Sequence, residues 1–282
     1  MTDLNTVTLP EKKFKLGTTS FIFPDNIIPN IEKLGVFFDE IELLVFESLP
    51  EEVLPSKNDV KELLYLSKKY DLTYNVHLPV DVSLTCDAAA KREKARDVIL
   101  KVMELIAPLN PTTYTLHLDM DPDIKNCIEK QNKIEPWQDR VQTSLKALLS
   151  RVPKPEIISI ETLDYPFGFV EALIEQFNLS VCIDAGHQIK YGHNLLQTFD
   201  KHRHRTSIIH LHGVDFSQPG IKDHTSLDKL PLKQMGQIKT ILNNYSGVVS
   251  LEVFNLDNLH RSLLSLSNMF KDIKSPWPLG SQ

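Results

Sequence analysis

The sequence predicts a single (β/α)8 barrel, in which eight parallel strands alternate with helices around a closed sheet. Three observations favour this fold. Short apolar or β-branched runs alternate with longer amphipathic stretches along the whole chain, eight such units follow one another, and no internal linker rich in Gly, Ser or Pro divides the 282 residues. A doubly wound open sheet has a similar periodicity and stays the alternative.

The strand candidates have the short β-branched and apolar runs that are typical of buried strands. In chain order they are 15–20, 40–46, 73–78, 113–118, 157–163, 180–184, 207–213 and 248–254. Helical patterns lie between them at 56–70, 90–106, 135–150 and 231–245. The first helix begins with Ser56 and Asp59 at the spacing of a capping box. We assign residues 1–282 to one barrel domain, with about 12 N-terminal and about 10 C-terminal residues peripheral to it.

Composition and charge exclude several classes of function. A net charge of −6 is unsuited to a protein that holds a nucleic-acid backbone, which needs a basic surface. The three cysteines have no CxxC spacing, so neither a disulfide framework nor a cysteine zinc site is predicted. The N-terminus has no apolar signal region, and no stretch is apolar enough to span a membrane. We therefore expect a cytoplasmic protein whose partner is a small molecule, with no nucleic-acid or membrane partner.

The predicted strands show an unusual alternation. Strands of a parallel barrel are buried on both faces and are usually apolar throughout. Here one parity is apolar, whereas the other is polar and ends in a histidine or a carboxylate. Because side chains alternate along a strand, we expect the polar set to face inward near the C-terminal mouth, where barrel active sites lie. The last residues of that set are His77, His117, Glu161, Asp184, His210 and Glu252.

These residue types predict a metal centre. An ionised carboxylate in a barrel interior costs free energy unless it is paired or bound to a metal. One strand histidine is more often a core residue, and one glutamate can equally be half of a buried ion pair. Six such residues at one parity, with no inward Lys or Arg on these strands, favour divalent cations instead. His187 and His224 can reach the same mouth from loops, and this mixed ligand set suits zinc, manganese or iron.

The number of ligands bears on the reaction. A set of four (Glu161, Asp184, His210 and Glu252) is enough for one ion that polarises a sugar carbonyl and its neighbouring hydroxyl, as in an isomerase or epimerase. The remaining histidines exceed what one ion accepts, so two or three ions could share carboxylates, with Glu161 the best bridge. Such a cluster activates water and clamps the oxygens of a phosphoryl group. The number of candidate ligands therefore favours phosphoester hydrolysis over isomerisation.

Short motifs surround these residues along nearly the whole chain. They are VHLP (76–79), LHLD (116–119), SIET (159–162), CIDAGH (182–187), HLHG (210–213), DH (223–224) and SLEVF (250–254). Together they resemble the endonuclease IV/xylose isomerase-like barrel superfamily. The resemblance to its phosphodiesterase branch implies metal ligands at His77, His117, Glu161, Asp184, His187, His210, His224 and Glu252.

The resemblance departs from the pattern of that branch in two places. The branch has an aspartate two residues before the loop histidine, where this chain has Lys222, so Asp223 is displaced by one position. His210 and His212 are also rivals for one ligand position. The strand register favours His210, with His212 close to the substrate.

Four longer stretches carry a narrower resemblance. KLGTTSFIFPDNIIPN (15–30), DEIELLVFES (39–48), LTYNVHLPVDVSL (72–84) and HLHGVD (210–215) are similar to the cobamide-remodelling phosphodiesterases, the CbiR family. Members of that family hydrolyse the nucleotide loop of cobamides such as cobalamin or pseudocobalamin. The products are cobinamide phosphate and the lower-ligand riboside, so that the lower ligand can be exchanged.

This narrower resemblance implies a metal-dependent hydrolase with two or three zinc or manganese ions and a cobamide as substrate. Glu161, Glu252 and His212 are its expected catalytic residues, and aromatic side chains in 18–24 and 165–169 are expected to flank the corrin. Two alternatives remain open at this point. One is a single-metal sugar or sugar-phosphate isomerase or epimerase, and the other is a non-catalytic barrel that binds corrinoid.

Overall fold

A computed structural model of the chain describes residues 13–46, 54–125, 131–217 and 220–270. The segments that the sequence predicts to be peripheral, at the two ends of the chain, lie outside the described residues. The described strands are β1 (Lys15–Thr19), β2 (Glu40–Leu44), β3 (Thr73–His77), β4 (Tyr114–Leu116), β5 (Ile158–Glu161), β6 (Ser180–Asp184), β7 (Thr206–Leu211), β8 (Gly213–Asp215), β9 (Lys222–Thr225) and β10 (Val248–Leu251).

Eight of these strands form a closed parallel barrel in the order β1-β10-β7-β6-β5-β4-β3-β2. The predicted (β/α)8 barrel is therefore confirmed, and the open sheet is excluded because β1 pairs with both β2 and β10. The other two strands, β8 and β9, form an antiparallel hairpin between β7 and the next helix. This hairpin is not predicted by the sequence pattern.

Helices follow the strands around the outside of the barrel. The described helices are α1 (Ile27–Leu34), α2 (Lys57–Tyr70), α3 (Ala89–Ile106), α4 (Pro122–Lys125), α5 (Gln131–Leu149), α6 (Gly168–Gln176), α7 (Ala185–Lys190), α8 (Leu195–His202), α9 (Leu232–Asn243) and α10 (Leu256–Met269). The predicted capping box is present, since the backbone N–H groups of Ser56 and Asp59 each donate to the other's side chain. None of these helices is long and apolar enough to cross a membrane.

Several barrel strands end before their sequence alternation ends. β4 ends at Leu116 and β10 at Leu251, although the alternation of apolar and polar residues continues beyond both. The pattern records burial, whereas a strand also requires a regular ladder of hydrogen bonds, and that ladder ends here although Glu252 N still donates to Leu211 O at 3.1 Å. His117 and Glu252 therefore directly follow strand ends, and His212 lies at the break between β7 and β8.

The barrel interior is polar in layers. Below the mouth, the fully buried Glu40 accepts hydrogen bonds from the Thr73 hydroxyl at 2.5 Å, the Asn75 amide at 3.0 Å and the Thr112 hydroxyl at 2.6 Å. These donors satisfy a carboxylate that would otherwise be costly to bury. The apolar parity of the strands forms the core between the barrel and its helices. Titratable side chains are therefore concentrated along the barrel axis.

Candidate metal centre

Glu161, the last residue of β5, lies at the centre of the mouth with 1% of its surface exposed. Its Oε2 is 3.1 Å from His77 Nε2 and 2.9 Å from His117 Nε2. Its other oxygen, Oε1, is 3.4 Å from His187 Nδ1 and 3.7 Å from His210 Nδ1. The two oxygens of this one carboxylate therefore face two different pairs of histidines.

Four ligand atoms converge on the Oε1 side of Glu161. One atom from each of Glu161, Asp184, His210 and Glu252 lies within 4.8 Å of the other three. Among the residues that the structure describes, Glu161 Oε1, His210 Nδ1 and Glu252 Oε2 have no hydrogen-bond partner. Buried ligand atoms that face one another without hydrogen bonds are what a divalent cation satisfies. The four residues predicted to hold a single ion thus fit one in their chemistry and arrangement.

A second group lies on the Oε2 side. His77, His117 and Glu161 also have ligand atoms within 4.8 Å of one another. His77 Nδ1 is 3.0 Å from the carbonyl oxygen of Leu78, to which it donates. In a neutral ring this leaves a lone pair on Nε2 facing Glu161 Oε2, so the contact requires either a second proton or a cation. This group therefore also fits a divalent ion.

A third group joins three histidines beside the barrel mouth. His187, His212 and His224 offer ligand atoms within 4.8 Å of one another. His187 is positioned by α7, because Asp184 caps that helix and its Oδ1 accepts a hydrogen bond from His187 N at 2.6 Å. His224 is supplied by the β8–β9 hairpin, where it has the left-handed backbone angle φ of 49°. Its Nδ1 lies 3.1 Å from the carbonyl oxygen of Glu252.

His212 lies behind Asp184 and is fully buried. Its Nε2 is 3.1 Å from Asp184 Oδ1, and its Nδ1 is 3.1 Å from both His224 N and Gly213 O. Its ring fits against α7 only because residue 186 is glycine, since a Cβ atom there would lie 2.0 Å from the His212 ring. His212, which the resemblance implies as a catalytic residue, therefore contacts the predicted ligand Asp184, while His210 points into the four-residue group.

Asp223 is turned to a different partner. Its carboxylate lies 2.6 Å from Lys190 Nζ. Partial burial raises the pKa of Asp223, but hydrogen bonding to Lys190 and the nearby positive charges together hold it below its usual range. The ion pair links the hairpin to α7. The preceding residue, Lys222, is exposed.

Sequence reasoning missed Glu42, which the structure brings into the site. Glu42 is fully buried on β2, with Oε1 at 3.0 Å from His210 Nε2. Its Oε2 accepts a hydrogen bond of 2.5 Å from the Ser250 hydroxyl. The signal was present in the segment EIELL, where Glu40 and Glu42 alternate with apolar residues as the polar parity of the other strands does.

The protonation of the site follows from the mixture of imidazole and carboxylate groups. Burial lowers the pKa of His77, but the hydrogen bond to Glu161 and the negative charges of the surrounding carboxylates together outweigh it, so the pKa rises to about 9. Likewise, Asp184 and Glu161 raise the pKa of His187 to about 10 against its burial. Burial raises the pKa of the Glu161 carboxyl, yet the neighbouring histidines hold it well below its usual range. Without a cation, the histidines are therefore the counter-charges of the carboxylates.

A cavity of about 260 Å³ opens above the candidate ligands and is lined by six of them, His77, His117, Glu161, His187, His224 and Glu252. Its rim is apolar, with Phe46, Val80 and Phe254. Neither of the two segments expected to supply aromatic walls, 18–24 and 165–169, contributes a residue to the lining of this cavity. Tyr165 is fully buried and Phe167 is 6% exposed, so the expectation for 165–169 is wrong. Both rings pack into the hydrophobic core.

Comparison with known proteins supports the fold. A family model described as "Xylose isomerase-like TIM barrel" matches residues 28–272. No curated protein sequence matches the chain. Similar solved structures include a D-tagatose 3-epimerase-like protein, with a TM-score of 0.73 and 18% identity over 92% of this chain and 97% of that one. The 3-keto-D-glucoside 4-epimerase YcjR from E. coli has a TM-score of 0.65 and 17% identity, over 92% of this chain and 99% of that one.

A third similar structure contains a metal. It is the IOLI protein with a bound zinc atom, with a TM-score of 0.67 and 14% identity over 93% of this chain and 100% of that one. At these identities the likeness to solved structures shows the fold alone.

Proposed function

We propose a function for this chain, which belongs to the xylose isomerase-like TIM barrel family: it is a metal-dependent phosphodiesterase that cleaves the nucleotide loop of cobamides. We infer the reaction class from the two carboxylate oxygens of Glu161, which face different groups of candidate ligands. One of its oxygens belongs to the four-residue group and the other faces His77 and His117. Because a single ion at the four-residue group leaves that second pair unused, the arrangement favours a centre of more than one ion.

The chemistry divides between the ions and the chain. When bound, divalent ions supply Lewis-acid chemistry, which makes water more acidic and neutralises charge on a phosphoryl group. The side chains of the chain hold and orient them. Glu161 is shared between groups, His212 supports Asp184, and the His224 loop closes one side of the cavity. No separate protein nucleophile is needed for this reaction.

The cobamide assignment rests on the resemblance in 15–30, 39–48, 72–84 and 210–215. Two physical features agree with it. The net charge of −6 disfavours a nucleic-acid phosphodiester, whereas a corrinoid carries only a small net charge. The cavity of about 260 Å³ has room for a phosphodiester and part of a sugar, while the corrin would lie outside against the apolar rim.

A second candidate is a single-metal sugar isomerase or epimerase. It is favoured by the four-residue group, which is complete for one ion. The similar structures of a D-tagatose 3-epimerase-like protein and a 3-keto-D-glucoside 4-epimerase agree with it. In this reading Glu161 and Glu252 would move a proton between substrate carbon atoms.

The two functions are separated by one experiment. Purified protein reconstituted with Zn²⁺ or Mn²⁺ is incubated with adenosylcobalamin, and the products are resolved by mass spectrometry. We expect cobinamide phosphate and the lower-ligand riboside, and a loss of at least about 100-fold in rate for His117→Ala, since one group of ligands is broken. His204→Ala, at an exposed position outside the mouth, is the control and should be unaffected.

Other outcomes point elsewhere. Intact cobamide with every metal, together with interconversion of ketoses by protein that holds one ion, would establish the second candidate. Tight corrinoid binding without hydrolysis in fully metal-loaded protein would indicate a non-catalytic barrel instead.

A further inference from the structure

We infer that Glu42 is a positioning residue, which places the ring proton of His210 on Nε2 and so presents Nδ1 to a bound cation. The inference rests on the metal centre of the proposed function and is independent of the substrate. It concerns a residue to which neither the motifs nor the resemblance assigns a role.

The first step is the position of His210 between two sets of carboxylates. The ring is fully buried on β7. Its Nδ1 lies 3.3 Å from Glu252 Oε2 and 3.7 Å from Glu161 Oε1, on the side of the four-residue group. Its Nε2 lies 3.0 Å from Glu42 Oε1, on the opposite side of the ring. Only Nδ1 is therefore placed to join the other three ligand atoms.

The second step is the chemistry of the imidazole. A histidine that binds a metal does so through its unprotonated nitrogen, and the group that contacts the other nitrogen selects the tautomer. A carboxylate accepts hydrogen bonds and cannot donate one when ionised, so Glu42 favours a proton on Nε2. Glu42 Oε1 and His210 Nε2 are at hydrogen-bond distance but not aligned for one. Rotation of the ring that aligns this pair also turns Nδ1, so the two contacts are linked.

The third step is that Glu42 is itself held in place. Its Oε2 accepts the hydrogen bond from Ser250, the residue that pairs with His210 across β10 and β7. Glu42 is fully buried, and its backbone is fixed between β1 and β3. An anchored carboxylate on the far side of a ligand histidine is the arrangement that orients metal-binding imidazoles in other sites.

Two other roles are possible for the same residue. Glu42, His77, His210 and Glu252 offer ligand atoms within 4.8 Å of one another, so Glu42 can be a ligand itself. It can also be only an ion-pair partner of the histidine, with no effect on metal binding. These roles differ in what a substitution does to the number of ions and to their affinity.

The test measures metal binding without any substrate. Zn²⁺ affinity is measured by competition with a chromophoric chelator, and the number of bound ions by elemental analysis. Glu42→Leu should lower the affinity for one ion by about 10- to 100-fold with the stoichiometry unchanged. Glu42→Gln, whose amide oxygen still accepts from Nε2–H, should recover most of that loss. Ser250→Ala, which only frees the carboxylate, should show a smaller loss than Glu42→Leu.

Glu40→Gln is the matched control, because Glu40 is equally buried on the same strand and its partners are Thr73, Asn75 and Thr112. It should leave the metal affinity unchanged. Loss of one ion from the stoichiometry in Glu42→Gln would overturn the inference in favour of a direct ligand. Equal affinities for Glu42→Leu and Glu40→Gln would overturn it in favour of a structural ion pair. Wild-type protein that binds no ion would instead contradict the proposed metal centre itself.

Discussion

At the scale of single residues, Glu161 is the carboxylate that connects two groups of candidate ligands. Its two oxygens contact histidines from β3, β4, α7 and β7, which are far apart along the chain. If ions bind both groups as proposed, a carboxylate in this position would couple the occupancy of one group to that of the other. Substitutions at Glu161 and at a peripheral ligand should therefore have different effects.

We predict that Glu161→Gln weakens ion binding both at the four-residue group and at the group with His77 and His117, whereas His117→Ala removes one ion and leaves the four-residue group loaded. The reason is that Glu161 belongs to both groups and His117 to one of them. Elemental analysis after dialysis against a weak chelator gives the ions per chain. Identical metal content in the two variants, at one ion per chain or fewer, would contradict a shared carboxylate and favour the single-metal candidate.

The sequence predicted where most of the candidate ligands lie, because period-2 alternation specifies the face of a strand on which a side chain lies. His77, Asp184 and His210 lie on that face as expected. Alternation does not specify where a side chain points once the strand has ended. His212 follows β7 immediately and its ring contacts Asp184, and His224 depends on a left-handed backbone angle in a hairpin. Neither feature has a signature in residue type.

At the scale of elements, α7 and the β8–β9 hairpin are joined through one ring. The His212 ring lies against Gly186 of α7 and is 4.1 Å from the His224 ring, centroid to centroid. The hairpin begins at Gly213, where a Cβ atom would lie 1.9 Å from the backbone oxygen of Ser226. The sequence pattern predicted a continuous strand through the motif HLHG. The glycine in this motif was the sequence signal for the turn, because glycine allows two backbones to approach closely.

We predict that Gly186→Ala destabilises the protein by about 1–3 kcal/mol and weakens metal binding, because the added methyl group displaces the His212 ring from Asp184. Denaturant unfolding and chelator competition measure the two effects. Gly236→Ala is the control, since this glycine lies within α9 and a Cβ atom there meets nothing within 4 Å. It should stabilise the protein by about 0.5–1 kcal/mol. Unchanged metal affinity in Gly186→Ala would show that His212 does not support Asp184.

At the scale of the whole molecule, stability is linked to the charge of the mouth. In the metal-free protein, the stabilisation from His77 is complete below its ordinary pKa of 6.5 and is lost as the pH rises through about 9. For Glu252, burial raises the pKa but the nearby histidines hold it below the ordinary value of 4.5. That stabilisation is present above pH 4.5 and is lost as the pH falls. The metal-free protein should therefore be most stable between pH 4.5 and pH 6.5, where both contributions are present.

We predict opposite slopes for the two forms of the protein between pH 6 and pH 9. Metal-free protein should lose stability as the pH rises, because the folded protein keeps protons on these histidines that the unfolded chain releases above pH 6.5. Zinc-loaded protein should gain stability, because protons compete with the metal for the same nitrogens. Urea unfolding in chelator and in Zn²⁺ at both pH values measures the slopes. Parallel slopes would mean that the histidines do not bind the ion.

The barrel as a whole was predictable because eight strand–helix units and the absence of an internal linker are properties of the entire chain. The ends of the strands were less predictable, because β4 and β10 end at residues that are still buried. The number of ions was also not specified. That number depends on the distances between Glu161 and the six histidine and carboxylate side chains around it. These distances are set only when the barrel closes.

Closure of the barrel also sets the order of events in the making of this protein. β1 pairs with β10, and the four-residue group needs Glu252, which directly follows β10. A ribosome releases the chain from its N-terminus, so a nascent chain that has completed β7 still has neither the closing strand nor this ligand. The four-residue group therefore gains its last ligand only when the last strand is in place, so an ion proposed for that group would be acquired by a chain whose barrel has already closed.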